Sequence, residues 1–326
     1  MDSKPNIARS GTDNARRIVR QALGNETVNN LHKENPLLDF ASVAVPVVLV
    51  IGIALLMGRI EFGLLWCLLF VAQGLLAQTM MLVSHDLFVH RRVGGDFWSW
   101  VGSMVLTIPR LSSPSGYESA HLNHHKYIGT DRDTEAYKQD LNTRFKRVLF
   151  STMPGVKMAQ ANKFSDAKRK HYHDVTAVRP GQSQKLRTEK LLLKLWLVVL
   201  VVLSVTFPET LFFGYVLPVM IILPVMNSLR IIIEHADANP ENPFNQSTFY
   251  ETGIVSRAVF LWDSGDCHIV HHIFPRIPWY QVGKAVDLMK SVFEQHGAVK
   301  RTSFWRLVKG WYFSNYAHRS LWPADT

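Results

Sequence analysis

The sequence predicts an all-α integral membrane protein, with four transmembrane helices in two hairpins and a cytoplasmic helical cap that holds a histidine-rich site for two metals. Three observations predict it. Long apolar runs, almost free of charge, recur at about the 20-residue length that crosses a bilayer. Basic residues crowd the polar segments on one side of those runs. Histidines recur at spacings that aim several imidazoles at one point, always in those same segments or just beyond the end of a run.

Residues 1–39 are polar, hold six Lys or Arg and show no cleavable signal, so this tail is expected in the cytoplasm. Its first 15 or so residues have a disordered composition, and RRIVRQAL from Arg16 reads as a short surface helix. A single membrane domain follows over residues 40–326. Spans are expected at 40–58 and 62–84, joined by a tight turn, and at 191–207 and 210–233, joined at Pro208 and Glu209. Lys194 is near enough to the start of the third span to snorkel, and Pro208, Pro218 and Pro224 should kink the fourth.

The cap is assigned to residues 85–190 and 234–326. Within it, Asp96 and Arg110 bracket an uncharged stretch too short to span, whose Trp98 and Trp100 suit the membrane interface. The stretch 144–190 is basic, and its His171 and His173 read as surface residues. Residues 282–293 form an amphipathic helical pattern.

Net charge is +10, and of 36 Lys and Arg only Arg59 falls on the far side of the spans, against 18 in 85–190 and nine after Arg230. That asymmetry obeys the positive-inside rule and puts both termini and the cap in the cytoplasm. It also accounts for the basic balance without nucleic-acid binding, for which no recognition motif is present. Cys67 and Cys267 fall in a span and in the cap, too far apart in depth for a disulfide, and Cys267 reads as a packed thiol.

The histidines carry the chemistry. In HLNHH (His121, His124, His125) and HIVHH (His268, His271, His272) positions i, i+3 and i+4 share a sector of about 100° on a helix. In HDLFVH, His85 and His90 are five apart, about 140° around an α-helix, so they converge only if the helix bends or ends there. His235 follows the fourth span and faces the same cap. Nine imidazoles exceed one tetrahedral site, so two metals with four or five nitrogens each is the simpler stoichiometry. Imidazole alone admits zinc, copper or iron. Asp86, Asp133, Glu135, Asp237, Asp263 and Asp266 are near enough in sequence to orient these rings. A metal transporter is the rival from another class, but its ligands should sit at mid-membrane rather than beyond span ends.

The set HDLFVH, HLNHH and HIVHH, in that order and with His235 upstream of the third motif, resembles the membrane fatty acid desaturase superfamily. HHKYIGTDRDTE and HIVHHIFPRIPWY look like its extended second and third boxes, and the likeness runs from about Phe40 to Pro278. The resemblance implies a non-haem di-iron oxidase in which the nine histidines bind two irons. Its co-substrate is O2, its substrate a fatty acid or acyl thioester drawn from membrane lipid. No cytochrome b5 domain is fused to the chain, so electrons should come from a separate ferredoxin, rubredoxin or cytochrome b5 type donor. Animal acyl-CoA members place an asparagine four residues before the isolated histidine; here that residue is Ile231, with Asn227 about two turns before His235.

Within the superfamily the expected reaction is desaturation. Oxidative decarboxylation of a free fatty acid to a terminal alkene and lipid hydroxylation are the alternatives. Arg230, at the inner end of the fourth span, is relevant to that choice. It either pairs with Glu234 at i,i+4 or snorkels, or it holds a substrate carboxylate beside the metals.

Overall fold

The computed structural model describes residues 7–128, 145, 182–235, 242–247, 253–261, 263–298 and 304–313, and regular structure among them is helical. Asp133, Glu135, His171, His173 and Asp237, with most of the basic stretch, lie outside the described residues. The chain begins with α1 (Ile7–Leu23), α2 (Asn25–Leu31), α3 (Pro36–Met57) and α4 (Leu64–Ser84). The π-helix π1 (His85–His90), α5 (Gly95–Thr107), a 3-10 turn (Ile108–Arg110) and α6 (Pro114–Tyr127) follow. After the undescribed stretch come α7 (Gln182–Thr206), the π-helix π2 (Pro208–Val216) and α8 (Leu217–His235). The short α9 (Ile254–Val259), then α10 (Asp266–Ile273), α11 (Trp279–Gln295) and α12 (Phe304–Phe313) complete it.

Local chemistry sets the boundaries. The Asn35 side chain accepts from the amides of Leu37 and Leu38 and Pro36 occupies the first turn, which starts α3. Ser113 and Pro114 start α6 in the same way. Gly265, at φ 54°, gives the left-handed turn that aims α10.

Among the described residues three helices are long and apolar enough to cross a membrane: Asn25–Met57, Leu64–His90 and Pro208–Asn227. The apolar run at 191–207 forms the second half of α7, whose Val198, Val201, Val202 and Val205 are 56–79% exposed. A soluble protein does not leave such a stripe in water. The bundle is centred on α4, which packs against α3 and α8, while π2 lies against α3 and α7. Its interior is Val50, Ala54, Met80, Val83, Leu87, Leu106, Leu200 and Tyr215. Gly74 lets α8 approach so closely that a Cβ there would overlap Ile222.

A second core joins α1, α2, α10 and α11 through Val19, Leu31, Val270, Met289 and Phe293. The amphipathic reading of 282–293 becomes α11. The N-terminal expectation is corrected. Helix α1 begins at Ile7 and buries Ala15 and Val19 completely, so it is a docked element and neither disordered nor confined to the surface. Ala15, Ile18 and Val19 share one face, and the cap core supplies the partner surface that the tail alone lacks. Cys267 is fully buried in this core and Cys67 is exposed, and neither is in a disulfide.

Candidate metal centre

Each histidine is placed by a different local device. The first motif is π-helical, with the Arg91 amide bonded to the Asp86 carbonyl five residues back. This i→i+5 winding removes the offset that an α-helix would leave between His85 and His90, and their Nε2 atoms lie 3.0 Å apart. The sequence expectation of a bend or helix end is met by a change of helix type. The other two motifs are α-helical, on α6 and α10. His235 is the last residue of α8.

The nine imidazoles form two sets. His85, His90, His121, His125 and His271 converge through Nε2, with successive separations of 2.8 Å (His85 to His121), 2.9 Å (His121 to His90 and to His125) and 3.0 Å (His125 to His271). The second set is a chain of four, His124, His235, His268 and His272, with Nε2 separations of 3.2 Å (His124 to His235), 3.2 Å (His235 to His268) and 3.1 Å (His268 to His272), and within it His124, His235 and His272 lie within reach of one cation. Glu234 joins His235 and His268 within reach of one cation. The motifs on α6 and α10 each divide between the sets: His124 and His271 go opposite ways from their neighbours.

This donor arrangement fits metal ions. An imidazole nitrogen carries one lone pair or one proton, yet the His121 Nε2 meets three other Nε2 atoms at 2.8–2.9 Å. Hydrogen bonding cannot satisfy all three contacts, whereas a cation that accepts every lone pair can. With metal–nitrogen bonds of about 2.0–2.1 Å, neighbouring ligand nitrogens should be about 2.9–3.4 Å apart, close to the separations found. Burial holds His121, His125, His271 and His272 well below the usual histidine range, which keeps these rings in the neutral, ligating form.

Asp263 ties the two sets together. One of its oxygens is 2.6 Å from Nδ1 of His268 and the other 3.4 Å from Nδ1 of His85. A carboxylate on Nδ1 fixes the tautomer and leaves the Nε2 lone pair facing inward. His235 is held by the Gln246 carbonyl, 3.1 Å from its Nδ1. Of the other acidic candidates, Asp86 pairs with Arg91 at 3.2 Å and Asp266 faces Arg257 at 3.9 Å. Arg230 makes the i,i+4 ion pair with Glu234 at 3.1 Å and also meets Asp263 at 3.3 Å. Asn227 is half-buried, and the Ile231 side chain is outside those described.

Sequence reasoning missed the metal-facing carboxylate of Glu234. Its position beside His235 was the available signal, but pairing with Arg230 explained it without a metal. The choice of Asp263 among six acids needed the turn at Gly265, which sequence spacing does not convey. Comparison with known proteins finds that residues 60–304 match the family described as "Fatty acid desaturase". No curated protein matches the chain significantly.

Proposed function

This chain belongs to the fatty acid desaturase family, and from that premise we propose that it is a membrane oxidoreductase that desaturates a fatty acyl chain at a di-iron centre. The observation that carries the proposal is that five imidazoles converge on one point and the other four are linked through their Nε2 atoms beside them. His85, His90, His121, His125 and His271 would hold one iron, and His124, His235, His268 and His272 the other. When bound, the irons supply activation of O2 and the abstraction of hydrogen from unactivated C–H bonds. The protein orients the acyl chain, excludes water and fixes the ligand tautomers through Asp263 and Gln246. Two hydrogens leave neighbouring methylenes, and O2 becomes two waters with two electrons and two protons supplied through a separate donor protein. The basic cap offers that donor a docking surface on the cytoplasmic side, where the metal centre and both termini are placed in this reading.

Oxidative decarboxylation of a free fatty acid is the second reading, favoured by the buried arginines near the metal centre. There a Cβ hydrogen is lost, the carboxyl carbon leaves as CO2, a terminal alkene remains, and the same O2 and electrons balance the reaction. Hydroxylation, with one oxygen atom retained in the product, ranks third. Transport is disfavoured because the histidines belong to helix ends and the cap. The test is gas chromatography of lipids and headspace from expressing cells, beside metal analysis of purified protein. An internal double bond and about two irons per chain are expected on the ligand count. A reproducible single zinc, with product formation insensitive to iron, would overturn it. His124→Ala and His271→Ala, one from each set, should each abolish turnover in a folded, membrane-inserted protein.

A further inference from the structure

Among the described residues three arginines are buried, Arg91, Arg110 and Arg230, and their charges are handled differently. Arg91 is 4% exposed and paired with Asp39 and Asp86. Arg230 is 3% exposed and has two carboxylates of its own, Glu234 and Asp263. Arg110 is 9% exposed, and no carboxylate pairs with it among the described residues. Its Nε donates to the Leu106 carbonyl at 3.0 Å, a neutral main-chain partner one turn back. A buried guanidinium without a counter-ion is strongly unfavourable, and proteins retain one where an anion completes it.

The turn that carries Arg110 is tightly held. The Pro109 carbonyl accepts from the Tyr215 hydroxyl at 2.7 Å and from the Trp196 indole at 3.2 Å, which pins the turn to π2 and α7. Tyr117, one of the phenols close enough to act on the Arg110 charge, stacks on the His121 ring with centroids 5.5 Å apart. Tyr215 and Arg230 are the other groups acting on that charge. Burial pulls the guanidinium down to about 10, which still leaves it cationic at neutral pH. Arg110 therefore combines a pinned turn, a charge with no carboxylate partner among the described residues, and an influence from Tyr117, which stacks on a ring of the five-histidine set.

We propose that Arg110 binds the carboxylate of a free fatty acid, so that the site selects acids over neutral esters and thioesters. The inference rests on the acyl-chain reading above and narrows its substrate class. Paired charge-assisted bonds from a guanidinium match a carboxylate and have no counterpart in an ester.

The test is equilibrium binding of palmitate and methyl palmitate to the purified, metal-loaded protein, without reductant or O2. Wild type is expected to prefer the acid by about tenfold or more, the scale of one charge-assisted pair. Arg110→Gln should bring acid and ester within about twofold while leaving ester affinity unchanged, which also reports an intact fold. Arg110→Lys, which keeps the charge and loses the fork, should retain part of the preference. Equal binding of acid and ester by wild type overturns the anchor and leaves the acyl-chain reading standing. Failure of both to bind overturns both readings. A preference that survives Arg110→Gln, or that Arg230→Gln alone removes, also overturns it.

Discussion

At the scale of single residues, the nine histidines were legible because their spacings are local facts, readable in one dimension. Their division into five and four was not. It depends on how π1, α6, α8 and α10 meet, and it sends His124 and His271 across the boundary from their own motif neighbours. The same holds for Asp263, one of six acids with equal standing in the sequence and the one that reaches rings of both sets. Asp263→Asn is expected to weaken metal retention about 10- to 100-fold, the usual effect of removing a carboxylate behind a ligating histidine. Chelator competition on purified protein measures this, and equal stripping of wild type and variant would contradict the role. Asp266→Asn, whose carboxylate faces Arg257 at 3.9 Å and accepts from the Cys267 thiol at 3.6 Å, should leave retention within about twofold of wild type.

At the scale of elements, the apolar runs and the amphipathic face of α11 follow from composition and period. The π-helices do not, because they differ from α-helix by hydrogen-bond register and not by residue type. The docking of α1 was also hidden, since Ala15 and Val19 form a weak stripe until α10 and α11 provide the opposing surface. Gly74 is where α4 and α8 come closest, and the obstacle to a side chain there is the Ile222 Cβ itself. Gly74→Ala should destabilise the protein by about 1–3 kcal/mol, and Ile222→Ala should not rescue it because that atom remains. Thermal unfolding in detergent measures both. Arg91 joins the start of α3 to π1, meeting Asp39 through two bonds of 2.8 and 2.6 Å and Asp86 at 3.2 Å. Arg91→Ala leaves these acids buried without their cation and should cost about 3–5 kcal/mol, with loss of metal from the five-histidine set. An unchanged melting temperature would contradict that linkage.

At the scale of the whole molecule, the all-helical architecture and its membrane character were legible from the length and purity of the apolar runs. The expected third span, 191–207, is not among the described helices long and apolar enough to cross, because the charged first half of α7 continues without a break into the apolar run. The proposed orientation rests on where the basic residues lie. A cysteine introduced at Glu26, exposed on α2, should label from the cytoplasmic side, and one at Arg59, exposed beyond α3, from the opposite side. Reversed labelling would overturn the cytoplasmic placement proposed for the metal centre.

The sharing of Asp263 between a ring of each histidine set has a thermodynamic consequence. The first cation to bind would lock His85 or His268 and, through that ring, fix the carboxylate that orients the other. Part of the ordering needed at the second site is then already in place, so the second cation binds more tightly than the first by a reciprocal coupling free energy. Native mass spectrometry across an iron titration should accordingly find empty and doubly loaded protein, with the singly loaded species below its statistical share. Asp263→Asn should raise that intermediate toward the statistical value, which separates coupling from a simple loss of affinity.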